Sequence, residues 1–326
     1  MNEPSVRIID REEELPELRG TNFFHSRQLF ELARQTPRQK PYMVIAQTAD
    51  GTQMAHLLAL VRYRSSWFPP YFYMHCRVLG EGVYEPEYVQ QASELFAMML
   101  DALRRKLSGR VLYIEVSNLS QKMFGYRQLR QQHFFPVHWM SIHNSLHSRT
   151  PEERINERMQ NRIDTAYRRG IVTDEVKTEE DFRAFLRLLR HHHWLKPKRY
   201  IPADNFFRGI QERGYGRLYV TRYREHIIGC SAVAYSGENA YLWYAAFRRK
   251  SFAFVHPDIL TIWHAIKHSH QLGYQHIFFL DVGLPFRKNS YREFILSFGG
   301  KPVSTYRWFR CSIKWINSVL SWLYRE

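Results

Sequence analysis

Val111-Leu112-Tyr113-Ile114-Glu115-Val116 and Ile277-Phe278-Phe279-Leu280-Asp281-Val282 are one phrase written twice, an apolar run that closes on an acid and a valine. Each follows a long helical pattern that stops at a glycine, Gly109 or Gly273. Downstream, Tyr126-Arg127 stands ten residues before Pro136 and Tyr291-Arg292 stands eleven before Pro302, with Phe134-Phe135 matching Phe298-Gly299. Self-similarity at this scale points to one supersecondary unit used twice. Each copy reads as hairpin strands, a long helix, a strand, a short helix and a strand, an α/β unit whose apolar sheet face needs helices to cover it.

The rest of the chain falls into place around these two strands. In the first copy a short helix is expected near 29–33, with strands at 43–47, 55–64 and 71–78. The last two are joined by the aromatic turn Trp67-Phe68-Pro69-Pro70. Between 88 and 107, Ala92, Leu95, Phe96, Met99, Leu100 and Leu103 recur at the spacing of one helix face. A short helix at 122–131 and a strand at 137–143 finish the copy. The second copy opens with a basic helix over 151–169, with Pro151 at a first helical position and Gly170 at its stop. A strand at 171–176 follows, and Thr178-Glu179-Glu180-Asp181 reads as a capping start for Phe182, Phe185, Leu186, Leu188 and Leu189. Hairpin strands are expected at 216–223, 227–235 and 240–247. A helix at 257–272, a strand at 276–282, a helix at 289–297 and a strand at 303–310 complete the pattern. The boundary between copies is placed at 147/148, giving domains 1–147 and 148–326.

The 326 residues are 44% hydrophobic and 24% charged, enough apolar material for packed cores, which excludes a disordered chain. The longest apolar stretches, such as 57–61 and 277–280, fall far short of the roughly 18 residues of a membrane span. Met1-Asn2-Glu3-Pro4 is polar, so no secretory leader is expected. Cys76, Cys230 and Cys311 are odd in number and scattered. They form neither a disulfide framework nor a zinc pattern, and they suit a reducing, cytoplasmic location. Lys and Arg exceed Asp and Glu by 47 − 31 = 16, with +4 in residues 1–150 and +12 in 151–326. The excess attracts a polyanion: a phosphorylated cofactor, RNA or an anionic membrane surface.

Several residues are placed to do chemistry. The turn Arg248-Arg249-Lys250-Ser251 lies between a strand and a helix that starts near Pro257. A helix start offers free N–H groups and a positive dipole end to a phosphate, and three bases beside it strengthen that site. Asp281, near a strand end, is suited to orienting or deprotonating an amine, or else to capping the next loop. Tyr291 can present a hydroxyl to a leaving group, or pack its ring on the sheet. Consecutive side chains in His191-His192-His193 point about 100° apart on a helix, so they cannot converge on a metal, and no metal is expected. His192 and His193 instead line an acceptor cleft, with Lys198 and Arg199 in a basic loop over it. Trp315, Ile316, Val319, Leu320, Trp322 and Leu323 fall on one apolar arc of the C-terminal segment, beside Lys314 and Arg325. That arc fits either a membrane interface or the domain surface.

The duplicated order resembles the GNAT acyltransferase fold in its tandem form, and most of all the Fem peptidyltransferase group and its acyltransferase relatives. Phe23-Phe24-His25-Ser26 before a helix, Arg162 through Arg168-Arg169-Gly170-Ile171-Val172, and Tyr241-Leu242-Trp243-Tyr244-Ala245 carry the likeness. So do Asp281-Val282-Gly283 and the run from Phe294 to Phe298-Gly299-Gly300. The resemblance implies two GNAT-like domains, each a mixed, mostly antiparallel twisted sheet flanked by helices, the first degenerate and the second holding the donor. It implies transfer of an acyl or aminoacyl group from acyl-CoA or aminoacyl-tRNA to an amine, such as a cell-envelope precursor, with no permanently bound cofactor. Tyr244 on the central strand joins Arg248, Arg249, Lys250 and Ser251 as donor-binding residues.

Two departures stand out. The glycines that acetyl-CoA-binding members carry in the turn are absent, and Asp258 lies near the helix start. Fem proteins place a Lys after the Phe aligned with Phe294, whereas this chain has Ile295, leaving Lys288 or Arg287 as substitutes. A non-catalytic binder of RNA or anionic lipid on a degenerate GNAT scaffold is the alternative reading. The location expected is the cytoplasm, including the inner face of the membrane.

Overall fold

Apolar side chains three and four apart between 92 and 107 wind into one helix that buries Leu95, Phe96, Met99, Leu100 and Leu103. In the computed structural model, residues 4–66, 70–194, 199–248, 251–282 and 288–325 are described, with backbone alone at 193, 194 and 253. The first elements are β1 (Ser5–Ile9), α1 (Arg27–Arg34), β2 (Gln39–Gln47), β3 (Gln53–Ser66), β4 (Tyr71–Leu79) and β5 (Val83–Tyr84). They are followed by α2 (Ala92–Leu107), β6 (Tyr113–Ser117), α3 (Tyr126–Gln131) and β7 (Phe135–Ser145). The middle of the chain forms α4 (Glu157–Arg168), β8 (Ile171–Glu175), α5 (Glu179–Trp194), α6 (Asp204–Glu212), β9 (Gly216–Tyr223), β10 (His226–Ser236) and β11 (Asn239–Phe247). Then come α7 (Pro257–Gln271), β12 (His276–Phe279), α8 (Ser290–Leu296), β13 (Lys301–Cys311) and α9 (Lys314–Leu323).

Contacts divide the chain into two units, Met1–Trp139 with Ser304–Glu326, and Met140–Val303. A single cut at 147/148 does not describe this division, because the last strand, β13, pairs antiparallel with β6 through Trp308↔Val116 and its neighbours. The first unit's sheet runs β1-β2-β3-β4-β6-β13, with β5 on β3. The second runs β7-β12-β11-β10-β9-β8. Each contains one parallel pair, β4 with β6 and β11 with β12, among antiparallel neighbours. The repeat read from the sequence is thus a repeat of architecture.

In the first unit α2 covers Val44, Leu57, Ala59, Val61, Ile114, Val116 and Trp308. His25 belongs to the same packing: it is wholly buried, Leu58 N donates to its Nδ1 at 3.0 Å, and Gly82 N points at its Nε2 at 3.1 Å. Gly82 has φ +99 and passes so near β3 that a Cβ would lie 2.8 Å from His56 O, so only glycine fits. In the second unit α7 is buried over most of its surface. Ile259, Ile262, Trp263 and Ile266 pack with Leu242, Ile277 and Phe279 of the sheet and with Ile295 and Phe298 at α8.

Several details differ from the sequence expectations. The basic helix starts at Glu157, not Pro151, because Asn156 Oδ1 accepts from Met159 N at 2.9 Å and caps it, after a short 3-10 turn at Glu152–Arg154. β12 ends at Phe279, short of Val282, because Asp281 has φ 62 and turns the chain out of the strand. α6 has no counterpart in the sequence reading. The helix at 88–107 splits into a 3-10 turn at Pro86–Gln91 and α2.

Candidate active site

β11 and β12 pair from Asn239↔His276 to Leu242↔Phe279, and a last bond joins Leu280 N to Leu242 O at 3.2 Å. β12 then stops while β11 runs on to Phe247. The corresponding pair of the first unit is closed to its end, with Leu79 opposite Ser117 and Gly80 N on Ser117 O at 2.8 Å. On its other side β11 faces β10 with a shift of register: Val233 opposes Leu242 and Ala232 opposes Tyr244, so Trp243 is an inserted bulge residue. A bulge breaks the ladder and re-aims the backbone groups beside it. The second unit therefore offers strand backbone, from Trp243 onward, beyond the last β12 pair.

Arg199 occupies that stretch. Its Nη2 donates to Trp243 O, its guanidinium lies 4.9 Å from the centre of the Tyr244 ring, and it stands 4.0 Å from an Asp281 carboxylate oxygen. Tyr244 OH donates to Tyr200 O at 3.2 Å, fixing the chain just after Arg199. Behind this group, Phe206 and Phe207 of α6 meet Trp243 and Tyr244 edge-on at 5.5 and 5.4 Å. α6 has no counterpart in the sequence reading, nor do β1 and β5, although Phe206, Phe207 and Ile210 have helical spacing and are all buried.

Asp281 leaves β12 in the left-handed region, a conformation that costs a non-glycine residue energy and that Asp tolerates better than most. Past it, Asn289 Nδ2 donates to Val282 O at 3.3 Å, and Asn289 Oδ1 accepts from Tyr291 N and Arg292 N at 3.0 and 3.3 Å. One side chain thus ties the strand end to the first turn of α8. Burial pushes the Tyr291 phenol up; the Arg199 cation opposes that rise and the Asp281 charge adds to it. Asp281, Tyr291, Tyr244 and Arg199 are therefore brought together electrically, and three of them by direct contact.

The remaining expected residues spread out. His192 is half-buried, its Nδ1 3.3 Å from Phe247 O and its ring edge-on to Phe247, at the far end of β11. Arg248 and Ser251 are exposed, and Arg248 N continues the ladder to Ile228 O at 2.8 Å. Lys288 is exposed beside α8. Lys198, Arg249, Lys250 and Arg287 lie outside the described residues, as does the side chain of His193. Ile295 is fully buried in the core, so that position sends no group into solvent.

The start of α7 is less open to a phosphate than its sequence suggested. Pro257 has no N–H to give, and Asp258, only 4% exposed, folds back so that its Oδ1 accepts from Ile259 N at 3.1 Å. A carboxylate already sits where an anion would. On α4, by contrast, Arg158 and Arg162 stand with Glu157, Asn161 and Thr165 on a shallow, open patch of one helix face. Among the described residues no group of three or more His, Cys, Asp or Glu side chains could hold a metal.

With this geometry in view, comparison with known proteins is direct. Residues 153–288 match the family model of the acetyltransferase (GNAT) domain. FemX is similar over 92% of this chain and 94% of its own, with a TM-score of 0.62 at 10% identity. A C-terminal domain assigned to a lysylphosphatidylglycerol synthetase of Agrobacterium fabrum has a TM-score of 0.57 at 9% identity, covering 91% of this chain and 92% of that one. A tandem GNAT protein from the clavulanic acid biosynthesis pathway has a TM-score of 0.53 at 9% identity, covering 88% of each. No curated protein matches the chain by sequence. The fold is that of the tandem GNAT proteins, Fem-like in its whole-chain course. Residues 153–288 match the GNAT acetyltransferase domain model, and the similar solved structures share the fold over the whole chain.

Proposed function

We propose that the chain transfers an aminoacyl group from a tRNA to an amine, with the reacting carbonyl held beside β11 past Leu242. The observation that carries this reading is the end of β12 pairing at Leu280 while β11 continues through the Trp243 bulge, with Asp281, Arg199 and Tyr291 gathered at that point. Two features favour a nucleic-acid carrier over acyl-CoA. The start of α7 holds the Asp258 carboxylate in place of a pyrophosphate, and α4 presents Arg158 and Arg162 on one open helix face. The names of the similar structures, FemX and a lysylphosphatidylglycerol synthetase, agree with aminoacyl chemistry and with an acceptor of the cell-envelope class.

In this reading Asp281 takes a proton from the acceptor ammonium, and the freed nitrogen attacks the ester carbonyl carbon. The C–N bond forms, and the negative charge on the carbonyl oxygen is met by the Arg199 guanidinium, which supplies the cation that the buried Ile295 does not. As the C–O ester bond breaks, Tyr291 OH protonates the departing ribose oxygen and regains a proton from Asp281, while the second proton of the attacking nitrogen passes to water and leaves a neutral amide. Much of the rate comes from holding ester and amine in line.

A second reading, a non-catalytic binder of RNA or anionic lipid, draws on Arg199 itself, which lies on the same backbone carbonyl that a donor would approach. Thermal stabilisation with aminoacyl-tRNA, uncharged tRNA and acyl-CoA in parallel, followed by a search for amide product, separates the two. A carrier at about 100 times its Kd adds about 2.7 kcal/mol to stability. A greater shift with charged than with uncharged tRNA, together with amide product, is expected. Equal shifts with the two tRNAs and no product favour the binder. A shift and product with acyl-CoA alone replace the carrier.

A further inference from the structure

α9 is an amphipathic helix with an apolar face turned outward. Its one fully buried side chain is polar: Asn317 is 8% exposed, its Oδ1 accepting from Cys311 N at 2.8 Å and its Nδ2 donating to His133 O at 3.0 Å. Ser312 Oγ donates to Val111 O at 2.5 Å just before the helix, and just after it Tyr324 stacks on Phe135 at 5.9 Å, with the rings 10° apart. These contacts seat the helix on the first unit. The opposite face carries Trp315, Val319, Trp322 and Leu323, which at about 100° per residue fall within roughly one quarter to one third of the helix circumference. They are 70%, 54%, 71% and 61% exposed. Ile313 and Leu112, at 41% and 40%, extend the apolar strip, joined by Ser312 N on Leu112 O at 2.9 Å.

Charge says what covers this face. Lys314 opens the helix and Arg325 follows it, both exposed, and no Asp or Glu stands between them, the first acid being Glu326. Two tryptophans and a leucine on one side of a short helix, flanked by cations, have the composition of a segment that lies in the headgroup region of an anionic bilayer. Burying that face in water-free packing against an ordinary protein would not use the flanking bases. We propose that α9 docks the protein on anionic lipid membranes, with Trp315 and Trp322 entering the interface and Lys314 and Arg325 meeting lipid phosphates. This goes beyond the transferase reading and stands or falls without it.

The test is co-sedimentation of the full chain with vesicles of phosphatidylcholine alone or mixed with phosphatidylglycerol. Binding to the mixed vesicles and little to the neutral ones is expected, weakening with salt. Trp315→Ser with Trp322→Ser is expected to lower partitioning about tenfold or more. Lys314→Glu is expected to lower it about fivefold or more. Both side chains of the double variant are mostly exposed, so its melting temperature should match the parent's, which verifies folding. Equal binding to neutral and anionic vesicles, or a double variant that binds like the parent, overturns the proposal. So does a parent chain that is dimeric by light scattering and becomes monomeric in the double variant, since the face would then join two copies.

Discussion

Asp281 combines two properties that single substitutions can pull apart. Its carboxylate faces Arg199 at 4.0 Å, and its backbone sits at φ 62. Asp281→Asn keeps the shape and the tolerance for that backbone but removes the base, so kcat should fall about 10²-fold or more while the carrier still stabilises the protein as before. Asp281→Gly should be as inactive yet up to about 1 kcal/mol more stable in denaturant unfolding, because glycine adopts this backbone without strain. A fully active Asp281→Asn variant would remove the residue from the chemistry. Arg199 is tested the same way. Arg199→Ala should lower kcat about 10²- to 10³-fold, as loss of one oxyanion donor does, and Arg199→Lys should restore part of it. A rise in rate on removing Arg199 would mean that it blocks the strand instead of serving it.

Among the elements, α8 has its start set by a single side chain that also holds the end of the strand before it. Asn289 supplies the acceptor for two N–H groups of its first turn and reaches back to Val282 O. Asn289→Ala should cost about 1–2 kcal/mol of stability by chemical unfolding and should reduce kcat through Asp281, whose chain it anchors. An unchanged rate would uncouple the cap from the site. The elements also mark how far the sequence could be read. β9, α7 and the parallel strands follow from apolar pattern and glycine stops, because those signals are local. The start of α4 was placed too early because Pro151 fits a first helical position as well as Asn156 fits a cap, and only the 3-10 turn between them decides. Asp281, Tyr291 and Tyr244 were recognisable as candidates from strand ends and family likeness. That Arg199 lies on the bulge carbonyl was not, since it depends on Trp243 being the inserted residue, a fact of register that no single strand contains. α6 escaped because its two phenylalanines make sense only as backing for Trp243 and Tyr244.

At the scale of the molecule, the first unit stores acid sensitivity in its core. His25 and His75 are held neutral by burial, their pKa values brought down from 6.5 to about 3, and burial holds His56 at about 4. The His56 ring lowers His25 further, a hydrogen bond with the His25 backbone opposes the fall at His56, and nearby Arg62, Arg64 and Arg77 lower His75 further. A protonated ring accepts no hydrogen bond, so a proton on His25 would also leave Leu58 N unmatched. Because the folded values lie below the unfolded one, the unfolded chain binds more protons below pH 6.5. The stabilisation is whole above that pH and is lost as pH falls toward 3–4, by about 1.4 kcal/mol per group and pH unit. The melting temperature should drop steeply between pH 6.5 and 4.5, and His75→Phe should flatten the drop. A level profile over that range would contradict the burial of these rings.

The placement of β13 has a consequence for biosynthesis. Arg307 reaches Glu115, an acid also held by Arg77 at 3.3 Å, across 192 residues of sequence. Until that distance has been translated, β6 is a bare edge, a known invitation to wrong pairing. At ~5–20 residues per second the nascent chain carries this open edge for roughly 10–40 s after it leaves the ribosome. A fragment ending at residue 147 should therefore aggregate or melt without cooperativity, whereas a cooperative melt would mean that β7 can stand in for the absent strand. Of the two units, the one begun first is thus the one completed last.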